Sequence, residues 1–162
     1  MRARLLCAIG LSLWSATTLA RQAAPPIALP RELRAHLQNE RFDIVSSMGG
    51  LPRGLRTELR TLFGGQGLDI ADPGEPFDVA GPTTGSKLPT RRLVAAGCSR
   101  DDCLLYYERA GRPRTWRVLL FHWTPNTTTL EWGGTAPSGL TTIAQIRGAV
   151  LSGAIKGSAG PW

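Results

Sequence analysis

The feature that most constrains the fold is a series of four apolar runs joined by short links. The runs cover residues 91–98, 103–109, 114–123 and 128–132, and each reads as a strand. Parallel neighbours need a crossover of a dozen or more residues, so strands joined by links this short must pair antiparallel. The sequence therefore predicts an antiparallel sheet in the second half of the chain.

Helices are predicted on both sides of these runs along the chain. Residues 31–41 follow a proline and carry leucines four positions apart, and residues 52–63 begin at a proline and carry an apolar face. Residues 143–151 follow Thr142, which forms a capping-box pair with Gln145. These segments would supply helices that cover the sheet.

The remaining segments complete the predicted architecture. Residues 68–71 and 77–80 are short strand candidates between turn-forming stretches, and residues 156–162 read as a loose tail. We predict an α+β fold: an antiparallel sheet of about five strands, with two N-terminal helices and one C-terminal helix packed on it. A single domain would cover residues 31–162.

The first twenty residues have the composition of a secretory signal peptide. Arg2 and Arg4 give a positive start, residues 5–20 are uncharged, and Thr18 to Ala20 places small residues where a signal peptidase cuts. A membrane anchor is the alternative, but this uncharged stretch is short for a span and contains several serines and threonines. We expect removal of residues 1–20, a periplasmic or secreted protein, and a flexible Pro/Ala-rich tether over residues 21–30.

The charge and hydropathy narrow the classes of partner. The net charge is +7, falling to about +5 without the signal peptide. Basic chains often bind nucleic acid, but export and the dispersed arginines argue against that partner here. Cell-wall polymer, lipid headgroups and acidic proteins remain open. No second apolar stretch approaches the length of a membrane span, so none is expected after signal removal.

Two cysteines, Cys98 and Cys103, remain once the signal peptide is removed. An oxidising compartment favours a disulfide between them. A metal pair is the alternative, but zinc needs about four ligands, and only His36 and His122 add imidazoles. Neither histidine is near the cysteines in sequence; we place His36 on the surface and His122 in the core or at a sheet edge. We expect no metal and no cofactor.

The predicted disulfide closes a hairpin loop of a common length. If the two cysteines oppose each other, Ala96 opposes Leu105 and Val94 opposes Tyr107. Closing so short a loop contributes only about 2 kcal/mol, so its expected role is to hold the tip rigid. A rigid loop binds at a lower entropic cost. A solvated hairpin whose disulfide merely offsets weak strand pairing is the alternative.

The tip of this loop is polar and charged. It consists of Ser99, Arg100, Asp101 and Asp102. The two carboxylates are neighbours in a hairpin tip, so they should point apart and titrate in water. Acid catalysis needs a desolvated carboxyl group, and the chain has no Gly-x-Ser-x-Gly nucleophile elbow. We therefore predict no enzymatic activity, and from the residues alone a binding loop and a solvated hairpin both remain open.

The order of these features resembles the Ivy family, the periplasmic inhibitors of vertebrate-type lysozyme. That family carries a disulfide-closed hairpin loop, Cys-Lys-Pro-His-Asp-Cys, followed by apolar antiparallel strands, a Leu-Thr-Trp-like stretch and a C-terminal helix. This chain has the corresponding stretches "LVAAGCSRDDCLLYYE", "WRVLLFHW", "TLEWGGTAP" and "IAQIRGAVLSGAI". The similarity covers roughly residues 88–155, and Leu51-Pro52 before the second helix also fits.

The resemblance implies that the loop enters the cleft of a lysozyme or another muramidase. The cysteines match those of the family, and Asp102 matches its aspartate. Ser99 stands at the family's lysine, Arg100 at its proline and Asp101 at its histidine. Arg100, a permanently charged bidentate donor, and Asp102 are the residues expected to make the key contacts.

Three tryptophans suggest an alternative function. Trp116, Trp123 and Trp132 fall on adjacent predicted strands. We expect them to pack against the helices, but on an open face they are candidates for stacking on the sugar rings of a glycan. The alternative is a non-catalytic envelope or peptidoglycan-binding module without inhibitory activity.

Overall fold

The computed structural model describes residues 25–64, 67–81 and 86–162, which form three α-helices, a 3₁₀ turn and one sheet. The predicted signal peptide, residues 1–20, lies outside these ranges. The helices are α1 (Arg31–Asn39), α2 (Arg53–Phe63) and α3 (Ile143–Leu151), and the 3₁₀ turn is Met48–Gly50. The strands are β1 (Asp43–Val45), β2 (Arg91–Cys98), β3 (Asp102–Arg109), β4 (Thr115–Trp123), β5 (Thr128–Ala136) and β6 (Lys156–Gly157). None of the helices in the described ranges is long and apolar enough to cross a membrane.

The sheet is an antiparallel meander in which the six strands lie side by side in chain order. This confirms the predicted α+β fold. The short edge strands β1 and β6 were not predicted, because two or three residues carry no readable alternation. The strand candidates at 68–71 and 77–80 were wrong: Ala71 makes a single parallel bridge to Arg92, and residues 77–80 form no strand.

Helices cover both faces of the sheet. Helices α1 and α3 pack on one face, here called the α1–α3 face, and α2 packs on the other, the α2 face. The central strand β3 is buried on both sides, since every residue from Asp102 to Glu108 is buried. The capping box of Thr142 and Gln145 that begins α3 is present as predicted.

The β2–β3 register is confirmed next to the disulfide and wrong further away. Ala96 opposes Leu105 as predicted, but a β-bulge between Leu93 and Ala95 pairs Leu93 with Tyr107. Leu93 therefore enters the core of the α2 face, while Val94 packs on the α1–α3 face. A bulge reverses the alternation of side chains beyond it, which a count along the sequence cannot anticipate.

The two ends of the described chain are held against the sheet. Ile27 bridges Gly157 through a 2.9 Å backbone hydrogen bond, and Trp132 Nε1 donates to the Ile27 carbonyl at 3.2 Å. The predicted tether covered residues 21–30; residues 21–24 lie outside the described ranges, and the remainder is not free, because Ile27 is held at β6. The predicted loose tail is also wrong, because the backbone carbonyl of Trp162 accepts a 2.7 Å hydrogen bond from Arg91.

Candidate functional site

The predicted disulfide is present, and β3 already begins within the loop that it closes. Cys98 and Cys103 oppose each other across β2 and β3, with their Cα atoms 4.1 Å apart. Strand β3 begins at Asp102, one residue before the cysteine. The Ser99 amide donates to the Asp102 carbonyl at 2.7 Å, and the Asp102 amide donates to Ser99 Oγ at 3.1 Å. The tip therefore closes into a tight, internally bonded turn.

Arg100 is the residue that this turn projects into solvent. Its side chain is 93% exposed, and that of Asp101 is 44% exposed. The Asp101 carbonyl accepts a 2.7 Å hydrogen bond from the Trp123 amide, which ties the tip to the end of β4. The 4.0 Å separation of Arg100 Nε from Asp101 Oδ1, in a pair this exposed, contributes little stability.

The expectation that Asp102 is exposed was wrong, because its side chain is 1% exposed. Asp102 already belongs to the β3 ladder, where it pairs with His122 of β4. Since side chains alternate along a strand, Cys103 faces α2 while Asp102 faces the α1–α3 side. The Asp102 side chain is therefore not part of the exposed surface of the loop.

Asp102 lies between two histidines. His36 Nδ1 on α1 is 3.1 Å from Asp102 Oδ2, and His122 Nδ1 is 3.7 Å from Asp102 Oδ1. Among the described residues, neither Asp102 oxygen has a hydrogen-bond partner of good geometry. His36 also hydrogen-bonds Glu40, whose second oxygen, Oε2, is buried and lacks such a partner within the described chain. These four residues are here called the His–Asp cluster.

A cleft of about 260 Å³ opens onto this cluster. Its walls are Pro30, Glu32, Leu33, His36, Asp102, His122 and Glu131. The cleft thus combines two imidazoles with several carboxylates, and the Asp102 side chain lines it from the sheet.

The shifted pKa values follow from burial and from contacts between these groups. The hydrogen bond to Glu40 raises the pKa of His36 against an opposing effect of burial, and the charge of Asp102 adds to the rise. Burial raises the pKa of Asp102, opposed by His36. Burial also tends to raise the pKa of Glu40, but hydrogen bonds from Ser99 and His36 outweigh it and the pKa falls. The cluster therefore favours positive charge between its carboxylates.

The sequence did not predict this cluster. His36 is 40% exposed, as expected, but its ring reaches Asp102. His122 is 44% exposed and lies near the end of the inner strand β4, so it is neither a core residue nor an edge-strand residue. The observed β3–β4 register pairs Asp102 with His122, but the predicted β3 began only at Cys103 and left Asp102 in the loop. Placing His36 beside them required knowing where α1 packs.

The three tryptophans do not share one surface. Trp132 is buried in the core of the α1–α3 face, and Trp116 packs on the same side. Trp123 packs on the α2 face. They therefore do not form a common platform for a glycan.

Comparison with models of protein families, with curated proteins and with solved structures finds no match to this chain.

Proposed function

We propose that this protein is an exported, non-enzymatic, Ivy-like inhibitor that inserts its disulfide-closed loop into the cleft of a lysozyme or another muramidase. The observation that carries the proposal is a rigid turn presenting a nearly fully exposed Arg100 at the end of the sheet. Preorganisation lowers the entropic cost of binding, which suits a loop that must enter a cleft.

Three separate constraints hold the loop. The disulfide ties its two strands, the Ser99–Asp102 hydrogen bonds close the turn, and the Trp123 amide holds the Asp101 carbonyl. Asp102 acts as a buried anchor in this scheme rather than as a contact residue. The contact surface consists of Ser99, Arg100 and Asp101.

Arg100 supplies the chemistry of the proposed contact. Muramidase clefts carry a pair of carboxylates, and a guanidinium donates bidentate, charge-assisted hydrogen bonds to such groups. Asp101 stands where the family has histidine, so attraction has to come from Arg100 rather than from the third residue of the tip. An arginine keeps its charge at every physiological pH, whereas a histidine does not.

The test is lysis of peptidoglycan by a panel of lysozymes and other muramidases, with the purified protein titrated in. Arg100→Ala should weaken inhibition at least tenfold, because a buried charge-assisted contact is worth about 1.5–3 kcal/mol. Arg60→Ala is the matched control, since it removes an equally basic, exposed side chain from α2. Reduction of the disulfide should also weaken inhibition.

Two results would contradict the proposal. One is the absence of inhibition of every enzyme in the panel. The other is equal inhibition by the wild-type protein and Arg100→Ala. Retention of the protein on insoluble peptidoglycan without any inhibition would support the envelope-binding module instead.

A further inference from the structure

We propose that the His–Asp cluster is a binding site for a divalent transition-metal ion of the Zn²⁺ type. His36, Glu40 and Asp102 would be its ligands, and His122 the fourth. The proposed contact residues of the loop, Ser99, Arg100 and Asp101, are not among these ligands, so metal binding and inhibition can be tested separately.

The candidate ligand atoms lie close enough together to surround one ion. One ligand atom each from His36, Glu40 and Asp102 can be chosen so that all lie within 4.8 Å of one another. His36 Nδ1 and Asp102 Oδ2 are 3.1 Å apart. Two ligands of a tetrahedral ion at about 2.0–2.1 Å from the metal are separated by about 3.3 Å. An ion would replace the direct contacts of His36 with both carboxylates.

Asp102 is the second, independent indication of a ligand. Its side chain is 1% exposed and lines the cleft, yet neither oxygen has a good hydrogen-bond partner in the described part of the chain. Buried carboxylate oxygens normally accept hydrogen bonds or bind a metal, and the ion contact with His36 leaves both Asp102 oxygens without a well-formed hydrogen bond. Glu40 places another carboxylate beside it, with Oε2 similarly buried and unpartnered among the described residues. A bound cation would satisfy both groups.

The kinds of donor point to zinc rather than to magnesium or calcium. Imidazole nitrogens suit Zn²⁺, Cu²⁺ and Ni²⁺, whereas Mg²⁺ and Ca²⁺ prefer sites built from oxygen. His122 Nδ1 lies 3.7 Å from Asp102 Oδ1, so a second imidazole adjoins the other three candidate ligands. The adjoining cleft leaves room for a water or a ligand at an open coordination position.

The chain positions of the ligands explain what the ion would do. His36 belongs to α1, Glu40 follows the end of that helix, and Asp102 and His122 are a cross-strand pair of β3 and β4. An ion bound to all four would fasten α1 to the sheet. It would bind the folded protein and not the unfolded chain, so it would raise the stability.

The experiment titrates ZnCl₂ into the protein after chelator treatment, by calorimetry and by thermal unfolding. We expect one Zn²⁺ per chain, bound at micromolar concentration or tighter, and a rise in Tm that MgCl₂ does not produce. His36→Gln and Asp102→Asn should each bind Zn²⁺ at least about tenfold more weakly. Glu58→Gln on α2 is the matched control and should bind as the wild type does.

Co²⁺ provides a direct readout of the ligands. Tetrahedral Co²⁺ with imidazole ligands gives visible absorption bands, which should appear with the wild type and disappear with His36→Gln, a substitution at a half-exposed position that leaves the core intact. Arg100→Ala should retain Zn²⁺ binding, which separates this site from the loop. The absence of Zn²⁺ binding at micromolar concentrations would overturn the proposal, and so would unchanged binding by both ligand variants.

Discussion

At the scale of single residues, Tyr106 and Tyr107 offer a clean spectroscopic test of the buried central strand. They are the only tyrosines of the chain, they are fully buried, and burial raises the pKa of each to about 12. Because both pKa values lie above the unfolded value near 10, the neutral phenol groups stabilise the fold fully below about pH 10. This stabilisation is lost as the pH rises from about 10 towards 12. A titration followed by phenolate absorbance should therefore show no tyrosine that ionises near the unperturbed pKa of about 10.

The same titration followed by circular dichroism supplies the control. Phenolate absorbance should rise at the pH at which secondary structure is lost, or above that pH. A tyrosine that ionises with an ordinary pKa while the protein remains folded would contradict the burial of β3.

A Gly→Ala substitution is expected to change the unfolding free energy in opposite directions at two positions. Gly148 lies within α3, and a Cβ there would meet nothing within 4 Å among the described residues. Gly148→Ala should raise the unfolding free energy by about 0.5–1 kcal/mol. At Gly157 a Cβ would lie 2.0 Å from the Ile27 carbonyl oxygen. Gly157→Ala should therefore lower the unfolding free energy by about 1–3 kcal/mol.

Denaturant unfolding of the two glycine variants, compared with the wild type, measures both signs. Equal stability of Gly157→Ala and the wild type would mean that the segment at Ile27 does not lie against β6 in solution.

At the scale of elements, two arginines join α1 to α3. Arg147 donates from Nε and Nη2 to the Leu37 carbonyl, with the Nε bond at 2.8 Å, and its guanidinium lies 5.1 Å from the ring centroid of Phe42. In the opposite direction, Arg34 donates to the Leu151 carbonyl at 2.9 Å. Each arginine thus satisfies a carbonyl near the C-terminal end of the other helix, where backbone acceptors lack partners within the helix.

Arg147→Ala should loosen this docking. The loss of charge-assisted hydrogen bonds predicts a decrease of about 1.5–3 kcal/mol in the unfolding free energy. Relative to the wild type, hydrogen exchange should accelerate more in α1 than in β3, because α1 would open locally. Arg31→Ala, at an exposed position of α1, is the matched control. Equal exchange rates of α1 in the two variants would contradict the contact.

The elements that the sequence predicted best are those with strong local signals. Helix α3 matches residues 143–151, because Thr142 and Gln145 cap its start, and β2 matches residues 91–98. The edge strands were missed because their pairing depends on neighbours rather than on their own pattern. The candidate site divides in the same way: the disulfide was predictable locally, whereas the burial of Asp102 depended on β3 starting one residue early.

At the scale of the whole molecule, Arg91 connects distant parts of the chain. It is 6% exposed, forms an ion pair with Asp69, donates to the Trp162 carbonyl at 2.7 Å and lies 4.2 Å from the ring centroid of Phe63. The Trp162 ring in turn covers Gly133, where a Cβ would come within 2.4 Å of it. The C-terminus is thereby part of the folded structure.

Trp162→Ala should lower the unfolding free energy by about 1.5–3 kcal/mol, because it uncovers the sheet at Gly133. Thermal unfolding measures the effect. Trp162→Phe, which keeps an aromatic ring, should recover most of the stability. An unchanged Tm for Trp162→Ala would show that the last residues do not pack on β5 in solution.

The meander topology sets the order in which a growing chain becomes able to fold. Strands β2 to β5 each pair with the next strand along the chain, so they can assemble progressively as they emerge during synthesis. The bridge from Ile27 to Gly157 and the covering of the α1–α3 face by α3 must wait for the last residues. Until then the nascent chain exposes the apolar face that includes Tyr106 and Val118, and exposed apolar surface of this kind makes an incomplete chain prone to aggregate.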